Sequence, residues 1–96
     1  MKTVFDNLSP ERSSLLSRVR TSLKTIDPSV IEQVRMHRIV FSRGFAMRDF
    51  VEIVVKHGKL CLVSLSPRMI GSEVVISDEK DIDAALDLAL KSYEAV

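Results

Sequence analysis

Apolar residues recur at three- and four-residue spacing near both ends of the chain and at shorter, strand-like spacing between them. Leu15, Leu16, Val19, Leu23 and Ile26 form the first helical stripe, with Arg12, Arg18, Arg20 and Lys24 largely off it. Ser9 is a preferred N-cap, Pro10 suits the first helical position, and Glu11 complements the positive end of the helix dipole. Phe5 and Leu8 precede the cap and are placed to fold back as a hydrophobic staple. The segment "TIDPSV" ends the helix, because Pro28 disfavours helical geometry at Asp27 and carries no amide hydrogen. Asp27 and Pro28 are also placed to cap one short helical turn over "PSVIEQV".

From Met36 the pattern changes to that of strands. "MHRIVFS", "DFVEIVV", "LCLVSL" and "SEVVIS" are rich in β-branched and apolar residues. "KHGK", containing Gly58, reads as a tight hairpin turn between the second and third of these, and "SPRMIGS" as a loop punctuated by Pro67 and Gly71. A second helix follows, capped by Ser77 or Asp78 and acidic in its first turn. Its stripe is Ile82, Ala85, Leu86, Ala89, Leu90 and Tyr93. The short connections between strands demand antiparallel pairing. The expected architecture is a single α+β domain over 1–96: a four-stranded antiparallel meander with an N-terminal and a C-terminal helix on one face, in the order α-β-β-β-β-α. Removing Leu86 or Leu90 is then expected to cost about 2–5 kcal/mol.

Composition supports a globular chain, with 46% apolar and 28% charged residues, and an aliphatic core, since there is no Trp and one Tyr. No apolar run approaches the ~20 residues of a membrane span, and "MKTVFDNLSPERSS" lacks the apolar core of a signal peptide. One cysteine excludes an internal disulfide. These features point to the cytoplasm. The net charge of +1 conceals an asymmetry: residues 1–68 carry twelve Lys/Arg against six Asp/Glu, and residues 69–96 carry two against seven. A basic face for an anionic partner is one consequence.

Catalytic and metal chemistry find little support. His37, His57 and Cys61 have no metal-ligand spacing, so neither metal nor cofactor is expected. Cys61 lies in an apolar run and reads as a small buried hydrophobe. There is no Gly-x-Ser-x-Gly elbow and no Gly-rich phosphate loop. The carboxylates Asp81 and Asp83, and Asp78 with Glu79, read as complements to the helix dipole. Glu52 is expected on the open face of the sheet, and Tyr93 packed on its edge. No enzyme activity follows.

The remaining chemistry is basic. Arg38, Arg43 and Arg48 gather around "SRGFAMRDF", beside Phe45 and Met47, while Lys56 and Lys59 flank the hairpin. Arg43, Arg48, Lys56 and Lys59 are candidates for phosphate contacts, and Phe45 for stacking on a base. Successive connections of a meander lie at opposite ends, so the two clusters can share the open face but not one rim. Apolar groups such as Phe50 and Val54 are expected on that face, which points to a homodimer through sheet faces or an edge strand.

Phe50-Val51-Glu52-Ile53 followed by a charged hairpin, Asp81-Ile82-Asp83 opening the last helix, and Ser92-Tyr93-Glu94 closing it form a further pattern. Over roughly residues 5–95 the chain resembles a bacterial domain family of unknown function labelled "predicted transport protein". That family occurs alone or fused C-terminally to restriction-endonuclease-like domains. The chain departs from it before the last strand, where only "SPRMIGS" stands in place of a longer segment. The resemblance implies no known activity and a nucleic-acid or nuclease context. The expected function is thus a small non-enzymatic binding module accessory to nucleic acid. The alternative is a homodimeric protein–protein adaptor.

Overall fold

The computed structural model describes residues 2–44 and 48–96. Its first helix, α1, runs Pro10–Lys24, with Ser9 Oγ accepting from the Arg12 amide at 3.3 Å. Leu15, Leu16, Val19 and Leu23 are buried, as the stripe requires. Ahead of it, Val4–Asn7 makes one 3-10 turn, from which Phe5 leans on the core, and Leu8 follows it there.

Five antiparallel strands follow in sequence order: β1 (Val30–Val34), β2 (Arg38–Arg43), β3 (Arg48–Lys56), β4 (Lys59–Ser64) and β5 (Glu73–Ile76). The second helix, α2 (Lys80–Glu94), then packs against β3, β4, β5 and α1. Both helices cover the face formed by Ile39, Phe41, Val51, Ile53, Leu60, Leu62 and Ile76. The α+β class and the meander stand; the sheet has five strands, not four.

The extra strand is the segment expected to form a helical turn. Asp27 does cap, but its Oδ1 accepts from the Ser29 amide at 2.8 Å and turns the chain into β1 rather than into a helix. Val30, Glu32 and Val34 then face the helices, since they oppose Arg43, Phe41 and Ile39. Glu32 breaks the apolar alternation that announces a strand. It is tolerated there because Arg20 of α1 meets it with bonds of 2.8 and 2.9 Å and Lys24 stands 3.2 Å away. His37, expected inside a strand, lies in the turn that joins β1 to β2.

Two side-chain placements also depart from expectation. The register shifts between Phe41 and Ser42, so that Phe50 and Val51 both turn into the core and each is 0% exposed. Phe50 therefore does not stand on the open face. On α2 the buried residues are Ile82, Ala85, Leu88, Ala89 and Ser92, a stripe rotated by roughly 60° from the expected one. Ala85, Ala89 and Ser92 are small and bring the helix backbone close to the sheet. The larger Leu86 falls on the flank, and Leu90 is 45% exposed. Ser92 is satisfied inside by Leu88 O at 2.8 Å and Ser64 Oγ at 2.7 Å.

Two outcomes follow. In denaturant titrations Leu88→Ala should cost about 2–4 kcal/mol, whereas Leu90→Ala should change stability by less than about 1 kcal/mol. Glu32 is held below the ordinary carboxylate range, first by its hydrogen bond from Arg20 and then by Lys24, against the opposing effect of burial. A depressed carboxylate adds stability above its ordinary value and loses it as pH falls through its folded value. The stability gap between wild type and Glu32→Gln should therefore narrow from neutral pH downward through the acid range. A gap independent of pH would contradict the ion pair.

Candidate functional site

As the meander requires, the basic residues divide between the two ends of the sheet, but they do not share the open face. Arg43, at the end of β2, faces the helices. Its guanidinium lies 4.5 Å from the centre of the Tyr93 ring, and Nη1 donates to Tyr93 O and Val96 O at 3.0 Å each. It ties down a last-turn carbonyl of α2 and one just beyond the helix, where a cation complements the helix dipole. The ring it covers packs edge-on against Phe50, with centroids 5.3 Å apart and an 84° interplanar angle. Arg48 opposes Arg43 across the strands and is exposed. Phe45 lies outside the described residues.

At the other end, Lys56 and Lys59 oppose each other across the hairpin. His57 and Gly58 form its tip with φ of 52° and 76°. Two consecutive left-handed residues make a type I′ turn, which matches the twist of the flanking strands. Lys56 Nζ reaches Glu73 at 2.8 Å, and Lys59 is exposed.

The fifth strand brings more groups to this end. The β1–β2 turn lies on the same rim as the β3–β4 hairpin, two strands away, or about 10 Å. Arg35, His37 and Arg38 thus join His57 and Lys59, all exposed. Arg12 of α1 donates to Gly58 O, and the Val4 amide donates to Met36 O at 2.9 Å, which brings the segment with Lys2 to the same rim. Arg38 pairs with Glu52 at 3.0 Å. Lys2, Arg12, Arg35 and Lys59 have no carboxylate within 4.0 Å among the described residues. Sequence reasoning missed this gathering because it took β1 for a helical turn. The signal was present in "RMHR" and "KHGK", two short basic stretches separated by two strands' length of chain.

The open face of the sheet is less apolar than anticipated. Arg38–Glu52 and Lys56–Glu73 stand on it, and Ser42 Oγ bonds Asp49 at 2.6 Å. Val40 and Cys61, neighbours of these groups in the register, are 1% and 3% exposed. Its exposed large apolar side chains, Ile31 and Val75, sit on opposite edge strands.

The candidates for catalysis have structural work. Glu52 is on the open face as expected and bonds Arg38. Burial pushes the Cys61 thiol above its ordinary value, and Glu73 adds to that. Asp81 accepts from the Ser77 and Asp78 amides at 2.8 and 3.1 Å, and Asp78 from the Lys80 amide at 2.8 Å, which together start α2. No three His, Cys, Asp or Glu among the described residues are grouped to hold a metal ion. A shallow groove of about 500 Å³ between α1 and the start of α2 is crossed by the Arg18–Glu79 pair and has no His or Cys in its lining.

Arg43→Gln should cost about 1–3 kcal/mol in denaturant titration by freeing the end of α2, while Arg48→Gln should cost less than about 0.5 kcal/mol. Equal effects would contradict the assignment of Arg43 to the fold. No helix is long and apolar enough to cross a membrane, among the described residues. No protein-family model, curated protein or solved structure matches the chain, so its function is read from this geometry.

Proposed function

We propose that the chain is a small non-catalytic binding module that holds the phosphate backbone of nucleic acid against its hairpin rim. The observation that carries this reading is the meeting of Lys2, Arg12, Arg35 and Lys59, without carboxylate partners among the described residues, with His37 and His57 at one end of the sheet. Phosphates along a duplex strand advance about 3.4 Å each. The roughly 10 Å between the two turns then matches about three phosphate steps measured along the duplex axis. Asp78, Glu79 and Asp81 belong to the same end but follow β5, the strand furthest from β1. Their repulsion directs an anion toward the β1–β3 side.

Contacts from short turns to phosphates position a backbone and carry no sequence information directly. Neither turn on this rim contains Phe, Tyr or Trp. Binding is therefore largely independent of sequence and strongly dependent on salt. Lys59 keeps the role anticipated for it. Lys56 contributes only through what Glu73 leaves of its charge, and Arg43 and Arg48 stand at the other end. The resemblance to domains fused to nucleases leans the same way, by analogy alone.

Fluorescence anisotropy with a labelled single strand and a duplex of about 20 nucleotides tests the reading between about 50 and 200 mM salt. The log–log slope should be about −3 to −4 for the duplex, and Arg35→Ala/Lys59→Ala should reduce it by about 2 units. Arg48→Ala should leave it unchanged. Failure to bind at the lowest salt, or a slope untouched by the double substitution, would overturn the proposal.

A further inference from the structure

The edge strand β1 exposes a second kind of surface. The Arg35 amide donates to Arg38 O at 2.8 Å, and the Gly44 amide to Ser29 O at 3.2 Å. In an antiparallel ladder, alternate residues turn their peptide groups to the partner strand. Ser29, Ile31, Gln33 and Arg35 therefore face β2, and Val30, Glu32 and Val34 turn theirs outward. The Val30 amide is taken by Asp27 O at 3.0 Å. The outward N–H and C=O groups of Glu32 and Val34 meet no backbone partner among the described residues, because β1 ends the sheet.

Edge strands are normally guarded by a charge, a proline or a bulge. β1 has no proline, and its register with β2 is continuous. Its one charge, Glu32, is drawn onto α1 by Arg20 and Lys24 and does not guard the edge. Beside it stand Ile31, Val34 and Met36, exposed by 36%, 42% and 54%. They are half of the exposed large apolar side chains among the described residues, gathered on one strand and its turn.

We propose that β1 pairs antiparallel with β1 of a second copy about a two-fold axis, so that the two sheets become one. A pairing centred on Gln33 sets Glu32 opposite Val34 of the second copy. Each such pair exchanges two hydrogen bonds, and symmetry supplies the pair twice. Ile31 then meets the aliphatic stem of Arg35, and the Gln33 amides meet each other. Centring on Glu32 instead would oppose two carboxylates, which is unfavourable. The contact is isologous and closes on itself, so it uses up both β1 edges without generating a fibre. It leaves the two hairpin rims at opposite ends of the dimer and does not depend on phosphate binding. A single pair of five-residue strands buries less than the roughly 1,200 Å² of a standard interface, so the association is weak, in the micromolar to millimolar range.

Light scattering and sedimentation from about 10 µM to 1 mM test this. The mass should rise from 10.8 kDa toward twice that value with concentration. Val34→Pro removes an outward donor without touching the ladder to β2. It should keep the native circular dichroism and weaken association at least about tenfold. Ile31→Lys blunts the same edge from the open face and serves where the proline variant does not fold. A mass of 10.8 kDa throughout, or association unchanged in a folded variant of either kind, would overturn the proposal.

Discussion

Glu32 faces the helical layer from the edge of the sheet, and the guanidinium of Arg20 meets it with two hydrogen bonds of 2.8 and 2.9 Å. A carboxylate only 13% exposed at its side chain would be costly there without that partner. Lys24, one turn further along α1, adds a second cation. The pair fixes Val30–Val34 as a strand against the preference of a polar residue for water. Two consequences follow from topology. The β1–β2 turn comes to the same end as the hairpin, which assembles the cationic rim. The sheet gains an outer strand whose one charge faces inward, which leaves its backbone open to pairing.

The rest of the structure makes a firm base for that edge. Ala85, Ala89 and Ser92 let α2 lie close on β3, β4 and β5, and the bulge at Phe41/Ser42 turns both Phe50 and Val51 beneath it. Arg43 then closes the far end of α2 through Tyr93 O and Val96 O. The side chains that most resemble reactive groups are consumed in this framework: Asp78 and Asp81 as acceptors for backbone amides where the chain enters α2, Glu52 as a partner for Arg38, Cys61 as a buried filler. Uncommitted charge and free backbone are left on the turns and the edge, which stand on a rigid scaffold.

Much of this was legible in the residues. Ser9-Pro10 and the stripe from Leu15 to Leu23 announce α1, and "KHGK" between two β-branched runs announces the hairpin. Three features were not, each for a physical reason. Glu32 hides β1, because the alternation test treats an inward carboxylate as a mismatch and cannot see that Arg20, twelve residues earlier, will answer it. The bulge hides the burial of Phe50, because it breaks the period of two on which face assignment rests. The rotated stripe of α2 follows from close approach through small residues, while hydrophobicity alone favours the larger Leu86 and Leu90. Of the candidate rim, the hairpin with Lys56 and Lys59 flanking it was legible, but Arg35, His37 and Arg12 come to that end only through β1 and α1. Arg43 looked like a ligand-binding group because nothing local shows that it reaches a helix end fifty residues away.

The state of Val30–Val34 decides most directly between this account and its rivals. Residue-resolved amide exchange by NMR at low protein concentration measures it. An edge strand paired only to β2 protects the amides of Ile31, Gln33 and Arg35 and leaves those of Glu32 and Val34 fast. Fast exchange at all five positions, or short i to i+3 proton contacts typical of a helical turn, would contradict the fifth strand, and with it both the rim and the open edge.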